Sequence, residues 1–189
     1  DAALARDAGL DVVLLEPSEA RRRFPALDRA EFDVACHSPG DGVVDLAGLV
    51  RWYLEAAAAA GVEVRPGAPV DAVLARDGLV RGVRSGGREI LAPVVVNAAG
   101  PWADEIGAMA GASPAPLRPR RRHVFVTEPV AWADPSWPFL WDVSAEVYFR
   151  PEEGGLLLSP CDEAEPGDKG SDAVDPAAVE VLRAKLTHR

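Results

Sequence analysis

Val94-Val95-Val96-Asn97-Ala98-Ala99-Gly100-Pro101-Trp102-Ala103 is an apolar run that ends abruptly at side chains too small to shield the backbone. β-branched residues without polar alternation suit a strand covered on both faces, so Val94-Val95-Val96 is expected to be a buried strand of a parallel sheet. Ala98, Ala99 and Gly100 let a ligand pack against the peptide groups, and Pro101 has the fixed φ of a first helical turn. Asp104 and Glu105 follow where acidic side chains favour a helix N-terminus. Strand, small-residue turn and helix together make a crevice at the carboxyl edge of a sheet, where open α/β sheets take cofactors. A tight packing turn with no ligand is the competing reading. Asn97 either caps that turn or faces what lies in the crevice.

Upstream, Asp45 is placed to cap a helix in which Leu46, Leu49, Val50, Tyr53 and Leu54 form one apolar stripe ending near Gly61. Val62-Glu63-Val64 and Val70 to Leu74 have apolar residues at strand spacing. Asp77-Gly78 and Gly86-Gly87 then separate β-like runs as hairpin turns do, predicting a small antiparallel meander before the Val94 strand. Nearer the N-terminus, Val12 to Leu15 reads as a short strand and Ser18 to Arg21 as a helix between Pro17 and Pro25.

Beyond Gly111 the texture changes to proline-spaced strands, placing a domain boundary there. The expected strands are His123 to Thr127, Glu146 to Arg150 and Gly155 to Ser159, with a turn at Pro151-Glu152-Glu153-Gly154. Ala164 to Ala173 is loop-like in composition, and Asp175-Pro176 opens a helix through Val179, Leu182 and Leu186. The first ten residues read as the tail of a helix already under way, and both ends look cut. The class implied is α/β (α+β).

The 189 residues are 48% hydrophobic, enough for a real core, and carry a formal net charge of −10. Nucleic-acid binding, which depends on neutralising phosphates, is disfavoured. No window approaches the roughly 20 apolar residues of a spanning helix, so no membrane association and a cytoplasmic location are expected. Cys36 and Cys161 have no metal or disulfide spacing, no G-x-S-x-G elbow is present and no P-loop is present.

Four stretches in order, Gly42-Val43-Val44-Asp45, Val94 to Ala103, Arg121 to Pro129, and Tyr148-Phe149-Arg150-Pro151 with Gly154-Gly155-Leu156-Leu157, resemble the D-amino-acid-oxidase-like FAD-dependent oxidoreductases. That is the family of glycine oxidase, sarcosine oxidase and dimethylglycine dehydrogenase. The resemblance implies a partial glutathione-reductase-type FAD-binding domain at 41–112 and an antiparallel-sheet substrate domain at 113–189, with 1–40 a peripheral part of the latter. It implies FAD as cofactor, held by the main chain of Val70 and of Asn97, Ala98, Ala99 and Gly100, and a small amine or amino acid as substrate. A relative acting on a hydroxy substrate such as glycerol-3-phosphate shares the Val94 to Asp104 pattern, and a fold-only module is the non-enzymatic alternative. The family's G-x-G-x-x-G fingerprint, its final glycine-rich strand and its carboxylate-gripping arginine are absent here. Missing N- and C-terminal segments of the same protein are therefore expected partners, and the chain alone is expected to hold FAD poorly.

Tyr148 fills core in one reading and bonds a substrate carboxylate in the other; Arg150 shares its strand face and either joins it or forms a salt bridge. Arg118, Arg120, Arg121 and Arg122 suit a solvated loop better than a phosphate site. His123 is expected to be a structural imidazole rather than a base. Trp132, Trp137 and Trp141 anchor a loop on the sheet or lid a pocket. No residue stands out as a general base.

Overall fold

The computed structural model describes residues 7–165, 167 and 175–187. They divide into two compact units, one drawn from residues 1–44, 121–164 and 172–189 and the other from 45–120 and 165–171.

In the first unit, β1 (Val13–Leu15) pairs antiparallel with β2 (Ala35–His37), setting Leu14 opposite Cys36. Between them runs α1 (Pro17–Arg23), whose N-terminal Pro17 needs no intrahelical N–H partner and whose Glu19 is ion-paired with Arg22 and Arg23 one turn on. Pro25 ends it and opens a 3₁₀ turn, Pro25–Leu27. The larger sheet has the order β6 (Phe125–Val126), β9 (Gly155–Ser159), β8 (Val147–Glu152), β7 (Leu140–Asp142), antiparallel throughout.

The turn between β8 and β9 is shorter than the sequence suggested. Glu153 (φ 47°) and Gly154 (φ 81°) make it alone, because left-handed central residues match the twist of the strands they join. Pro151 and Glu152 are left in the strand. The missing Pro151 N–H costs no ladder bond on the β7 side, since β7 pairs only with Val147 to Phe149.

Period-two alternation gives this sheet two different faces. Val147, Leu156 and Leu158 are buried with Leu182 of α4 (Pro176–Thr187), and Phe125 and Phe149 pack around them. Each such side chain contributes about 1.5–3 kcal/mol on burial. Lys185 fastens the helix, donating from Nζ to the carbonyls of Pro160 at 2.7 Å and Glu146 at 3.0 Å. Tyr148 and Arg150 occupy the other face.

In the second unit, α2 (Leu46–Ala59) begins as expected, with Asp45 Oδ1 accepting the Gly48 N–H at 2.9 Å. It closes with Gly61 at φ 83°, where Gly61 N–H donates to Ala58 O and Val62 N–H to Ala57 O, each at 3.0 Å, which satisfies the last carbonyls. The apolar stripe nevertheless has no buried residue. The meander is present as β3 (Ala72–Arg76), β4 (Leu79–Ser85) and β5 (Arg88–Leu91), turning at Asp77-Gly78 and Gly86-Gly87, all four residues at positive φ. Gly82, at φ 150°, sits by a register shift at Leu74/Ala75, and a Cβ there would lie 2.1 Å from the Ile90 carbonyl oxygen.

The expected parallel sheet is corrected. Neither Val62 to Val64 nor Val94 to Val96 is a strand among the described residues, and Val94 and Val96 are 73% and 83% exposed. A parallel strand exists only through hydrogen bonds to its neighbours, and no described strand pairs with either segment. β2 and β7, by contrast, arise where no strand was read. Among the described residues no helix is long and apolar enough to cross a membrane. Residues 1–6 of the expected N-terminal helix and most of the expected Ala164 to Ala173 loop lie outside the described residues.

Candidate functional site

The corner at Asn97 to Gly100 is held by one side chain. Asn97 Nδ2 donates to the Ala103 carbonyl at 2.8 Å, and its Oδ1 accepts the Ala99 N–H at 3.2 Å, so Asn97 caps the turn. Gly100 (φ 53°) and Pro101 pass through a 3₁₀ turn, Gly100–Trp102, into α3 (Ala103–Met109), and Asp104 Oδ1 accepts the Ala115 N–H at 3.0 Å, bracing the segment beyond. No atom lies within 4 Å of where a Gly100 Cβ would stand. Ala98 is exposed and Ala99 half-buried, so the peptide groups here are open to close approach, as the sequence implied. Half-buried Val70 lies in the same unit just before β3, where the neighbouring Asp71 ties two loops: its N–H donates to Arg84 O at 2.8 Å and its Oδ2 accepts the Gly86 N–H at 2.6 Å.

In the other unit, Tyr148 is half-buried on β8, opposite Trp141 of β7 and Ser159 of β9, with its ring 5.1 Å from that of Phe139. Arg150 shares its face, but its guanidinium is ion-paired with Glu152 and donates to the Pro151 carbonyl at 3.1 Å. The salt-bridge expectation therefore holds, though the pair is partly buried.

Phe139 and Trp141 also line a cavity of about 800 Å³, whose other walls come from Leu15 of β1, Phe24 and the 3₁₀ turn, β2 and the segment Asp41 to Val43. Cavities of this size are typical small-molecule sites. Phe32 and Trp137 add aromatic wall, and His37 meets Phe24 edge-on at 5.4 Å. The Nδ1 of His37 is shielded from solvent and has no hydrogen-bond partner. Sequence reasoning considered Trp137 and Trp141 as lid residues but missed Phe32, His37 and Phe139.

His123 has a partner that spacing did not reveal. Its Nδ1 lies 2.7 Å from Asp162 Oδ2, and its backbone N–H donates to Asp162 Oδ1 at 2.9 Å. Burial alone would raise the Asp162 carboxyl, but the backbone and imidazole bonds from His123, with its charge, outweigh that and hold it below its ordinary value. The arrangement cross-links the start of β6 to the end of β9. The neighbouring arginines are neutralised: Arg122 pairs with Glu163 at 3.5 Å and Arg120 with Glu165. Cys36 and Cys161 are free thiols.

The model of the family described as FAD dependent oxidoreductase matches residues 1–189. The chain belongs to that family. It is 31% identical over 155 residues to the mitochondrial dimethylglycine dehydrogenase of Homo sapiens, covering 80% of this chain and 18% of that protein. It is 29% identical over 154 residues to the mitochondrial pyruvate dehydrogenase phosphatase regulatory subunit of Mus musculus, covering 79% of this chain and 17% of that one. Its fold is that of the L-proline dehydrogenase from P. horikoshii, with a TM-score of 0.85 and 22% identity over 99% of this chain and 50% of the other. The chain thus spans half, or less, of the relatives it matches.

The family's cofactor is FAD, and the corner of the second unit fits such a group. Its side chains are small, its main chain is exposed, and the direction a Gly100 Cβ would occupy is open.

Proposed function

We propose that this chain is part of an FAD-dependent oxidoreductase that removes hydride from the carbon beside the nitrogen of an amino acid or N-methylated amine. When bound, FAD supplies the two-electron acceptor for that hydride. The chain's own residues bind and orient. The main chain of Asn97, Ala98, Ala99 and Gly100 offers peptide groups to the nucleotide at close range, with that of Val70 as a further contact. Tyr148, on the sheet face away from α4, is positioned to hydrogen-bond the substrate, and Arg150 becomes available to a carboxylate if Glu152 releases it. The single observation that carries the reading is the bare, Asn97-braced corner inside a stretch matched end to end by the family model.

The exposed stripe of α2 and the exposed valines of Val94 to Val96 support a further part of this proposal: segments of a longer protein cover them and complete the cofactor site. The 189-residue chain, mixed with FAD and passed over a desalting column, is then expected to emerge with little or no flavin absorbance, and the longer gene product to emerge yellow. A substrate panel on that product decides the chemistry. Oxidation of glycerol-3-phosphate with no turnover of sarcosine, dimethylglycine, glycine or proline would overturn the amine reading.

A second reading has one observation in its favour, the likeness to a regulatory subunit. On that reading the fold is kept for binding alone. A longer product that stays colourless after incubation with FAD would establish it.

A further inference from the structure

We propose that the cavity of the first unit is a binding site for a flat aromatic group, recognised as a ring rather than as apolar bulk. Aromatic residues are 6% of the chain, yet five of them, Phe24, Phe32, Trp137, Phe139 and Trp141, line this one space of about 800 Å³. Filling a core needs no such selection, since leucine and valine bury apolar area as well. Rings are what another ring packs on, edge to face or offset, with an attraction beyond the area buried. Phe139 is 48% and Trp141 56% exposed, so aromatic surface still faces water, and a ligand gains by covering it.

The second observation is that these rings are held. The guanidinium of Arg21 sits over the Phe32 ring at 5.1 Å and is itself fixed by donating to the Ala30 carbonyl at 2.7 Å. Trp137 leans on Trp132 at 6.1 Å, Phe139 on Tyr148 at 5.1 Å and Phe24 on His37 at 5.4 Å. Arg21, Trp132 and Tyr148 stand outside the cavity's lining, so each braces its ring from off the cavity. Trp141 is set by its strand, directly across from Tyr148 in the register of β7 and β8. Rings already held in place need little further ordering when a ligand enters. A wall of flexible side chains repacks around any apolar shape, whereas a braced aromatic wall selects a planar one.

The ring of Phe139 touches both this cavity and Tyr148, so the ligand lies one side chain from the proposed substrate face. On the oxidoreductase reading, on which this meaning rests, the cavity names the substrate class: an amine bearing an aryl group rather than one of glycine's size. Binding of the ring itself needs no flavin and stands or falls separately.

The test uses the full 189-residue chain and two uncharged probes of matched size, benzyl alcohol and cyclohexylmethanol, with calorimetry and proton NMR of the probe as readouts. The saturated probe is the more apolar, so burial alone ranks it first. Ring recognition reverses that order. Benzyl alcohol is expected to saturate one site about threefold or more tighter than cyclohexylmethanol, with its ring protons shifted upfield by the stacked walls. Trp141→Leu keeps an apolar side chain at an exposed position and removes its ring. It is expected to weaken benzyl alcohol about threefold and to leave cyclohexylmethanol within about 1.5-fold, a split that misfolding does not imitate. Phe32→Leu carries the same expectation from the opposite end of the sequence. Cyclohexylmethanol binding as tightly as benzyl alcohol, equal losses of both probes in both variants, or no saturation by about 20 mM overturns the proposal. Should the longer product prefer benzyl alcohol yet never hold FAD, the oxidoreductase reading fails and the cavity stands; should it hold FAD but show no preference for the ring, the cavity alone fails.

Discussion

The two units obey the same sequence grammar and reach different ends. In the first, the alternation of β8 and β9 and the stripe of α4 meet, and Val147, Leu156, Leu158 and Leu182 disappear from solvent. In the second, α2 has a good N-cap, a complete C-terminal motif and a continuous apolar stripe, yet none of its residues is buried. A pattern states which face a segment is made to bury; only tertiary contact does the burying. The difference teaches that the apolar stripe of α2 is unspent, whereas the face that β8, β9 and α4 share is already committed.

Substitutions can break or sharpen that contrast. Leu182→Ala removes a side chain from the first unit's core and is expected to cost about 2–5 kcal/mol, read from denaturant unfolding. A loss under about 1 kcal/mol would mean that the core is not the one described. Gly82→Ala in the meander is expected to cost about 1–3 kcal/mol, because its Cβ would be driven into the Ile90 carbonyl. Peptide-resolved hydrogen exchange should show β3 to β5 loosened while β8 and β9 keep their protection; equal loosening of both would dissolve the two-unit picture.

Asp45→Ala is expected to cost about 1 kcal/mol, confined to the first turn of α2. Acidification gives a smaller effect, to which Asp162 of the first unit contributes. The folded carboxyl of Asp162 lies below its ordinary value, so the unfolded chain binds the proton first. Its contribution is complete above the ordinary aspartate range and is lost as pH falls through that range toward the folded value. Asp162→Asn should flatten that acid limb. Least of all, Leu49→Ala on the open face of α2 should change stability by no more than about 0.5 kcal/mol. A cost comparable to that of Leu182→Ala would show that α2 is covered after all.

Local signals were legible. Asp77-Gly78 and Gly86-Gly87 gave the hairpins, Asp45 and Gly61 bounded α2, and small residues marked the open corner. Each rests on chemistry within a few neighbours along the chain. Non-local features were not legible. β2 and β7 are three residues long and owe their existence to partners, and the strand expected at Val94 to Val96 lacks such partners among the described residues. The cavity brings Phe32 and His37 against Phe139 and Trp141 from about a hundred positions away, and Asp162 reaches His123 across 39. No spacing rule announces such meetings. Tyr148 and Arg150 were placed on one face correctly because period two suffices for that.

The brace at Asn97 has a kinetic consequence. Alanines and a glycine left to themselves sample many backbone shapes, and freezing each residue costs about 1–2 kcal/mol. Because one amide ties Ala99 to Ala103, the corner keeps its form while empty, and an arriving molecule surrenders only its own freedom. Capture there would be limited by encounter rather than by waiting for a rare loop conformation, so replacing Asn97 with alanine would slow association more than it hastens escape.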